Sequence, residues 1–240
     1  MTETYGKIID DIIVKIANAS GKQVEESRIS ERAVLSDLMD ARIYLLHEKY
    51  LKARRYTDFD IQTIPCASLQ QASISECPFI PGGGKKVLRT VNPVPKPLMG
   101  QFEAVTTLEG NIELDYIKWE SISDYEGGRF NFDNFLAYTY QNVGNKIHIY
   151  VLNTIQDKAI AVKLLAEDPL EVLMFPECND TSIKKCIDIL EQSFPLDKDL
   201  LRICKEMVIT SYLDPRKNQM RGDYIQDNID NTVIPHPTNK

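Results

Sequence analysis

Three histidines, five cysteines and a Gly-Gly-Gly-Lys-Lys run are the residues in this 240-residue chain whose types could ligate a metal, attack a substrate or cradle a phosphate. A zinc-binding helix needs a second histidine one turn after His47-Glu48, and none stands there; His148 and His236 fall in no ligand spacing either. No Cys-x-x-Cys pair exists, and Cys66, Cys77, Cys178 and Cys186 match no zinc module. An odd number of widely spaced cysteines predicts reduced thiols packed as small hydrophobes rather than a disulfide framework. A phosphate loop would need glycine at position 79 and Ser or Thr after Lys85, where the chain has Phe79 and Lys86, so Gly82, Gly83, Gly84, Lys85 and Lys86 are expected to form a mobile basic surface tip. No Gly-x-Ser-x-Gly elbow occurs, and the acidic residues are too scattered to single out a catalytic pair. The expectation is a protein with no catalytic residue, no metal site and no cofactor.

Composition narrows the class further. A net charge of -7 argues against a dedicated nucleic-acid binder, because affinity for phosphates comes from clustered Lys and Arg that release counterions. No window approaches the ~20 apolar residues that span a bilayer, and no secretory start is visible. With 43% hydrophobic residues the chain can bury a sizeable core, more readily as one elaborated domain than as two independent ones.

The elements that would position any surface are periodic. Thr4 to Ala19 carries Ile8, Ile9, Ile12, Ile13 and Ile16 at helical spacing, with Gly21 where a helix should stop. Ser30 to Arg55 reads as a longer helix with one stripe of Val34, Leu38, Ala41 and Leu45 and a second of Leu35, Met39, Leu46 and Tyr50. A face that wide needs partners on two sides: the first helix, folded back as a hairpin, and a neighbouring subunit. Beyond Arg55 the prolines through Pro97 predict short or edge strands among loops. From Phe102 to Glu167 the period falls to two, predicting an antiparallel meander with turns at Glu109-Gly110-Asn111 and Asn142-Val143-Gly144. Its inward candidates are Phe102, Ala104, Ile112, Leu114, Ile147, Ile149, Val151, Ile160, Val162 and Leu164. Trp119 with Phe130, Phe132, Phe135, Tyr138 and Tyr140 could alternatively form a stacking face for sugars or bases. Asp168-Pro169 ends the sheet, a turn of helix is possible at Ile183 to Leu190, and Asp197 caps a last helix with Leu200, Leu201, Ile203, Cys204, Met207 and Val208 as its apolar face. Asp214 to Lys240 is polar and aperiodic. The fold class is therefore α+β: a small helical bundle from residues 1–56 and 195–213, a β-sandwich or partly open barrel inserted at 57–194, and an extended tail at 214–240.

The order of Ser30-Glu31-Arg32-Ala33-Val34, Ile64-Pro65-Cys66, Glu76-Cys77-Pro78, Glu167-Asp168-Pro169 and Phe194-Pro195-Leu196 resembles the neck ring, or head-to-tail connector, proteins of crAss-like tailed bacteriophages. The resemblance runs from about Tyr5 to Leu213. It implies a structural virion protein of the phage neck, assembled in the host cytoplasm as a homo-oligomeric ring, a dodecamer. That ring would join the portal protein to an adjacent neck or tail ring and line the channel for passing DNA without sequence-specific binding; it implies no membrane partner. An acidic wall would repel phosphate and prevent sticking. The alternatives are a glycan-binding β-sandwich module and an enzyme of unrecognised type.

Interfaces, rather than a site, are thus the expected functional features. The expected subunit interface is Leu35, Met39, Arg42, Leu46 and Tyr50. Docking onto neighbouring proteins is expected through Gly82 to Lys86 and through the tail anchors Tyr224, Ile225, Ile229, Val233 and Ile234, because neither segment has enough apolar residues of its own to offset its ordering entropy.

Overall fold

A computed structural model describes residues 3–21, 29–53, 56–72, 87–122, 136–144, 146–152, 158–176, 178 and 187–213. The chain is α+β and divides into two compact units, Met1–Leu45 with Leu190–Lys240, and Leu46–Ile189.

In the first unit, helix α1 spans Tyr5–Ser20, and all five of its isoleucines are buried. Thr4 caps its start by accepting from the Lys7 N–H, and Gly21 ends it with φ at 69°, a left-handed conformation that glycine adopts without a Cβ penalty. Helix α2 spans Glu31–Ala53, its residues from Leu46 on belonging to the second unit, and buries Val34, Leu38, Ala41 and Leu45, the first of its two stripes. The last described helix lies at Lys198–Leu213 and is α4 in chain order. Asp197 accepts from the Asp199 N–H at 3.2 Å, satisfying a free donor of its first turn. Helix α4 packs against α1, and its Cys204 donates to the Leu38 carbonyl of α2 at 3.7 Å. Its apolar face is narrower than the spacing predicts: Leu201, Cys204 and Val208 are buried, whereas Ile203 and Met207 are exposed and Lys205 is buried instead. Lys205 can take that place because two carboxylates meet it, Glu3 at 2.5 Å and Asp11 at 3.0 Å. The chain start is also held by backbone, since Thr4 bridges Ser193, the Tyr5 N–H donates to the Gln192 carbonyl, and Phe194 donates to Glu3. The Tyr5 and Phe194 rings then meet edge to face at 5.0 Å.

Among the described residues the second unit holds a seven-stranded mixed sheet, nearly closed and barrel-like. Its strands are β1 (Gln62–Gln71), β2 (Val87–Thr90), β3 (Ala104–Thr107), β4 (Asp115–Tyr116), β5 (Ala137–Val143), β6 (Lys146–Leu152) and β7 (Ala159–Leu164), in spatial order β3-β7-β1-β2-β6-β5-β4. The short helix α3, Pro169–Leu173, follows β7 and is capped by Asp168, whose carboxylate accepts from the Leu170 N–H. Closure comes from one segment that serves both ends of the sheet. Glu113 bridges Thr106 and the Leu114 N–H donates to Val105 of β3, while two residues later β4 runs parallel to β5.

Three expectations for this region are corrected. The sheet is mixed rather than wholly antiparallel, and it is no sequential meander, because β1 and β2 insert between β7 and β6. The phase of β3 is shifted by one residue: Val105 and Thr107 are buried, Ala104 is only half-buried and Ile112 is 49% exposed. A one-residue slip moves a strand's whole side-chain set to the other face, so alternation alone could not fix it. Nor does Pro65 confine its strand to a short edge. It lies in β1, the longest of the described strands, at a bulge where Pro65 and Cys66 stand opposite the single residue Ala161 of β7. That extra residue is why Ile64 and Ala67, an odd number of positions apart, are both buried.

Inside the barrel, Ile64, Ala67, Val105, Leu114, Ile149, Val151, Ile160 and Val162 form one cluster, with Val172 of α3 and Phe175 packed against it. On the other face Ala72, Val87, Ile117, Ala137, Tyr150 and Leu152 form a second, with Trp119 against it. At the start of the unit, Asp60 has no exposure and accepts from Lys49 at 2.7 Å and from the Thr57 N–H and hydroxyl at 3.0 and 2.8 Å.

Candidate functional site

Chemistry-bearing side chains are mostly occupied by the fold. His148 Nδ1 lies 3.0 Å from the Thr90 carbonyl oxygen and 3.3 Å from its hydroxyl, a structural role inside the sheet. His47 is exposed on α2, and His236 lies outside the described residues. Among the described residues no group of His, Cys, Asp and Glu could hold a metal ion. Burial pushes the Cys204 thiol up to about 12 despite the nearby Arg42 charge, which makes it a poor nucleophile. Burial alone would lower Lys205, but hydrogen bonds and charge from Glu3 and Asp11 outweigh it and hold its pKa above the ordinary lysine value.

The cysteines depart from the sequence expectation. Cys66 and Cys178 form a disulfide with their Cα atoms 5.5 Å apart, so these two are neither reduced nor simply packed hydrophobes. Spacing could not reveal the pair, because 112 residues separate the two and the β1 bulge that presents Cys66 is a property of the sheet. Cys77 and Cys186 lie outside the described residues.

The aromatic series is largely turned inward. Tyr138 is buried, the Tyr140 hydroxyl donates to the Gly100 carbonyl, and Trp119 packs on Tyr150 with ring centres 5.1 Å apart. Tyr116, which is not one of that series, is 43% exposed and stacks on Tyr140 at 5.4 Å; burial first, then its hydrogen bond and charge coupling with Tyr140, push its phenol up to about 12. Phe130, Phe132 and Phe135 lie outside the described residues.

Of the expected interface residues, Leu35, Met39 and Tyr50 are half-buried, and Tyr50 stacks on Tyr56 at 5.3 Å. Arg42 and Leu46 have no exposure at all, so they support α2 from beneath and offer nothing to a neighbour. The Arg42 Nε donates to the Pro195 carbonyl at 3.0 Å. Apolar groups that do reach solvent on these helices include Tyr44 and Leu51 on α2, at 54% and 70% exposure, and Ile203 and Met207 on α4, while Phe59 and Met174 are exposed elsewhere. Tyr44 and Leu51 are seven residues apart and so share one helix face, which also carries Asp40 and His47. That row escaped the sequence reading because its apolar residues are sparse among charged ones, and amphipathic patterning finds continuous stripes. The expected docking residues Gly82 to Lys86, Tyr224, Ile225, Ile229, Val233 and Ile234 all lie outside the described residues.

Apolar groups exposed along helices, such as Tyr44, Leu51, Ile203 and Met207, are the kind of surface an assembly subunit offers its neighbours. The family model for phage tail ring protein 2 matches residues 7–227, and the chain belongs to that family of crAss-like phage ring proteins. It is thus a structural component of the virion that assembles as an oligomeric ring. A search of curated proteins found no match. No helix among the described residues is long and apolar enough to cross a membrane.

Proposed function

We propose that this chain is the repeating subunit of a dodecameric ring in the phage neck, joining the portal to the next neck or tail ring and surrounding the DNA channel, with no catalytic activity. The family match over residues 7–227 carries this reading. A closed ring requires a heterologous contact, in which one face of each copy meets a different face of the next. The outward side of α2 supplies one such face, with Tyr44 and Leu51 as knobs inside a charged rim and the half-buried Leu35, Met39 and Tyr50 on its flank. The exposed row Ile203 and Met207 on α4 supplies a second apolar face of different shape. The net charge of -7 suits a wall past which DNA slides, since net negative charge repels phosphate. Residues Gly82 to Lys86 and the tail anchors Tyr224 to Ile234 are the proposed contacts to rings above and below.

The test is substitution of the exposed groups, which leaves the core intact. Tyr44→Glu and Leu51→Glu should keep the circular-dichroism spectrum of the parent and abolish rings, seen as a fall in sedimentation coefficient to that of a monomer. Rings of normal size from both variants would remove α2 from the interface.

A further inference from the structure

We propose that the Cys66–Cys178 pair is a redox-timed staple: two thiols during synthesis and assembly, oxidised to a disulfide once the virion leaves the reducing cytosol of its host. The inference rests on the chain being a virion subunit. Its physical basis is that core packing beside each cysteine brings the two thiols together. Cys66 sits in the β1 bulge between the buried Ile64 and Ala67. On the other side, Val172 and Phe175 pack against the core cluster to which Ile64 and Ala67 themselves belong, which delivers the chain to Cys178. The Cα atoms, 5.5 Å apart, lie within the separation a disulfide requires. Held in that way, the thiols react at high effective concentration as soon as an oxidant reaches them. Access is open, because both cysteines are only half-buried.

Reducing cytosol keeps such a pair as thiols, and an extracellular particle meets oxidants. With a small-molecule disulfide as oxidant, one thiolate of the pair attacks a sulfur of the reagent and expels the first small thiol. The second protein thiolate then attacks the mixed disulfide and expels the other. Two protein thiols and one small disulfide become one protein disulfide and two small thiols. The buried Cys204, whose thiol stays protonated, takes no part. The staple encloses almost the entire barrel: strands β2 to β7 and helix α3 all lie within the 112 residues it spans. Closing it after assembly locks the barrel without obstructing its folding in the host.

The experiment compares the full chain trapped with N-ethylmaleimide in lysing bacteria, the same chain purified and treated with oxidised glutathione, and the chain in purified virions. Peptide mapping should find Cys66 and Cys178 alkylated in the first sample and linked to each other in the other two. The oxidised chain should unfold at a higher temperature than the reduced one, a difference absent from Cys66→Ser and from Cys178→Ser. Alkylated thiols in virions, a bond already formed in the cytosol, or linkage of either residue to Cys77 or Cys186 would overturn the proposal. Absence of the chain from virions would instead overturn the virion reading, while glutathione oxidation of the purified chain would still report on the staple.

Discussion

The buried residues that shape α1 stand three and four apart, whereas the barrel pairs Gln62 with Leu164 and Val87 with Leu152. The first kind of contact is repaid as soon as a helix forms; the second must close long loops before any ladder bond is made. The two units accordingly finish differently. The helices are pinned where the chain start meets residues 192–194, through Tyr5, Phe194 and the Lys205 pairs. The barrel is finished by one segment that bonds to β3 and then β5, and by a disulfide across its largest loop.

The largest single effect should come from the pin. Phe194 has no exposure, and Phe194→Ala should cost about 3–5 kcal/mol, with amide exchange rising in α1 and α4 and little changed in β6. Uniform loss of protection across both units would show that they do not differ in this way. Reducing the Cys66–Cys178 bond should cost the barrel somewhat less, about 2–4 kcal/mol, with protection lost in the strands and retained in α1. Protection lost in α1 first would reverse the comparison.

Legibility followed the same division. The five isoleucines of α1, its stop at Gly21 and the first stripe of α2 were readable because helical period and capping are local. The turn at Gly110 and the β5–β6 hairpin were readable for the same reason. The insertion of β1 and β2, the parallel β4, the phase of β3 and the bulge at Pro65 are decided by strands far away in sequence, and no local pattern encodes them. At the surface, three residues of the second stripe of α2, Leu35, Met39 and Tyr50, are half-buried. Yet Arg42 and Leu46 are turned inward, and the row Tyr44 and Leu51 is the one left exposed, because which flank a helix buries depends on what packs beside it.

The smallest effect distinguishes the units by pH. Burial first, then the neighbouring Tyr116, Tyr140 and Glu113, raise the Tyr138 phenol well above 10.0. Below that ordinary value both folded and unfolded chains keep the proton; above it the unfolded chain ionises first, so barrel stability falls as pH rises past it. Tyr138→Phe should flatten this alkaline loss, read as the unfolding midpoint against pH. An unchanged slope would show that the tyrosine cluster does not set it.

Ring formation through unlike faces is tested most directly by electron cryomicroscopy of the purified full-length chain. The account predicts closed rings in which the Tyr44 and Leu51 row of each copy is covered by a different face of the next. Monomers, or two-fold dimers that bury the same α2 face on both copies, would contradict it.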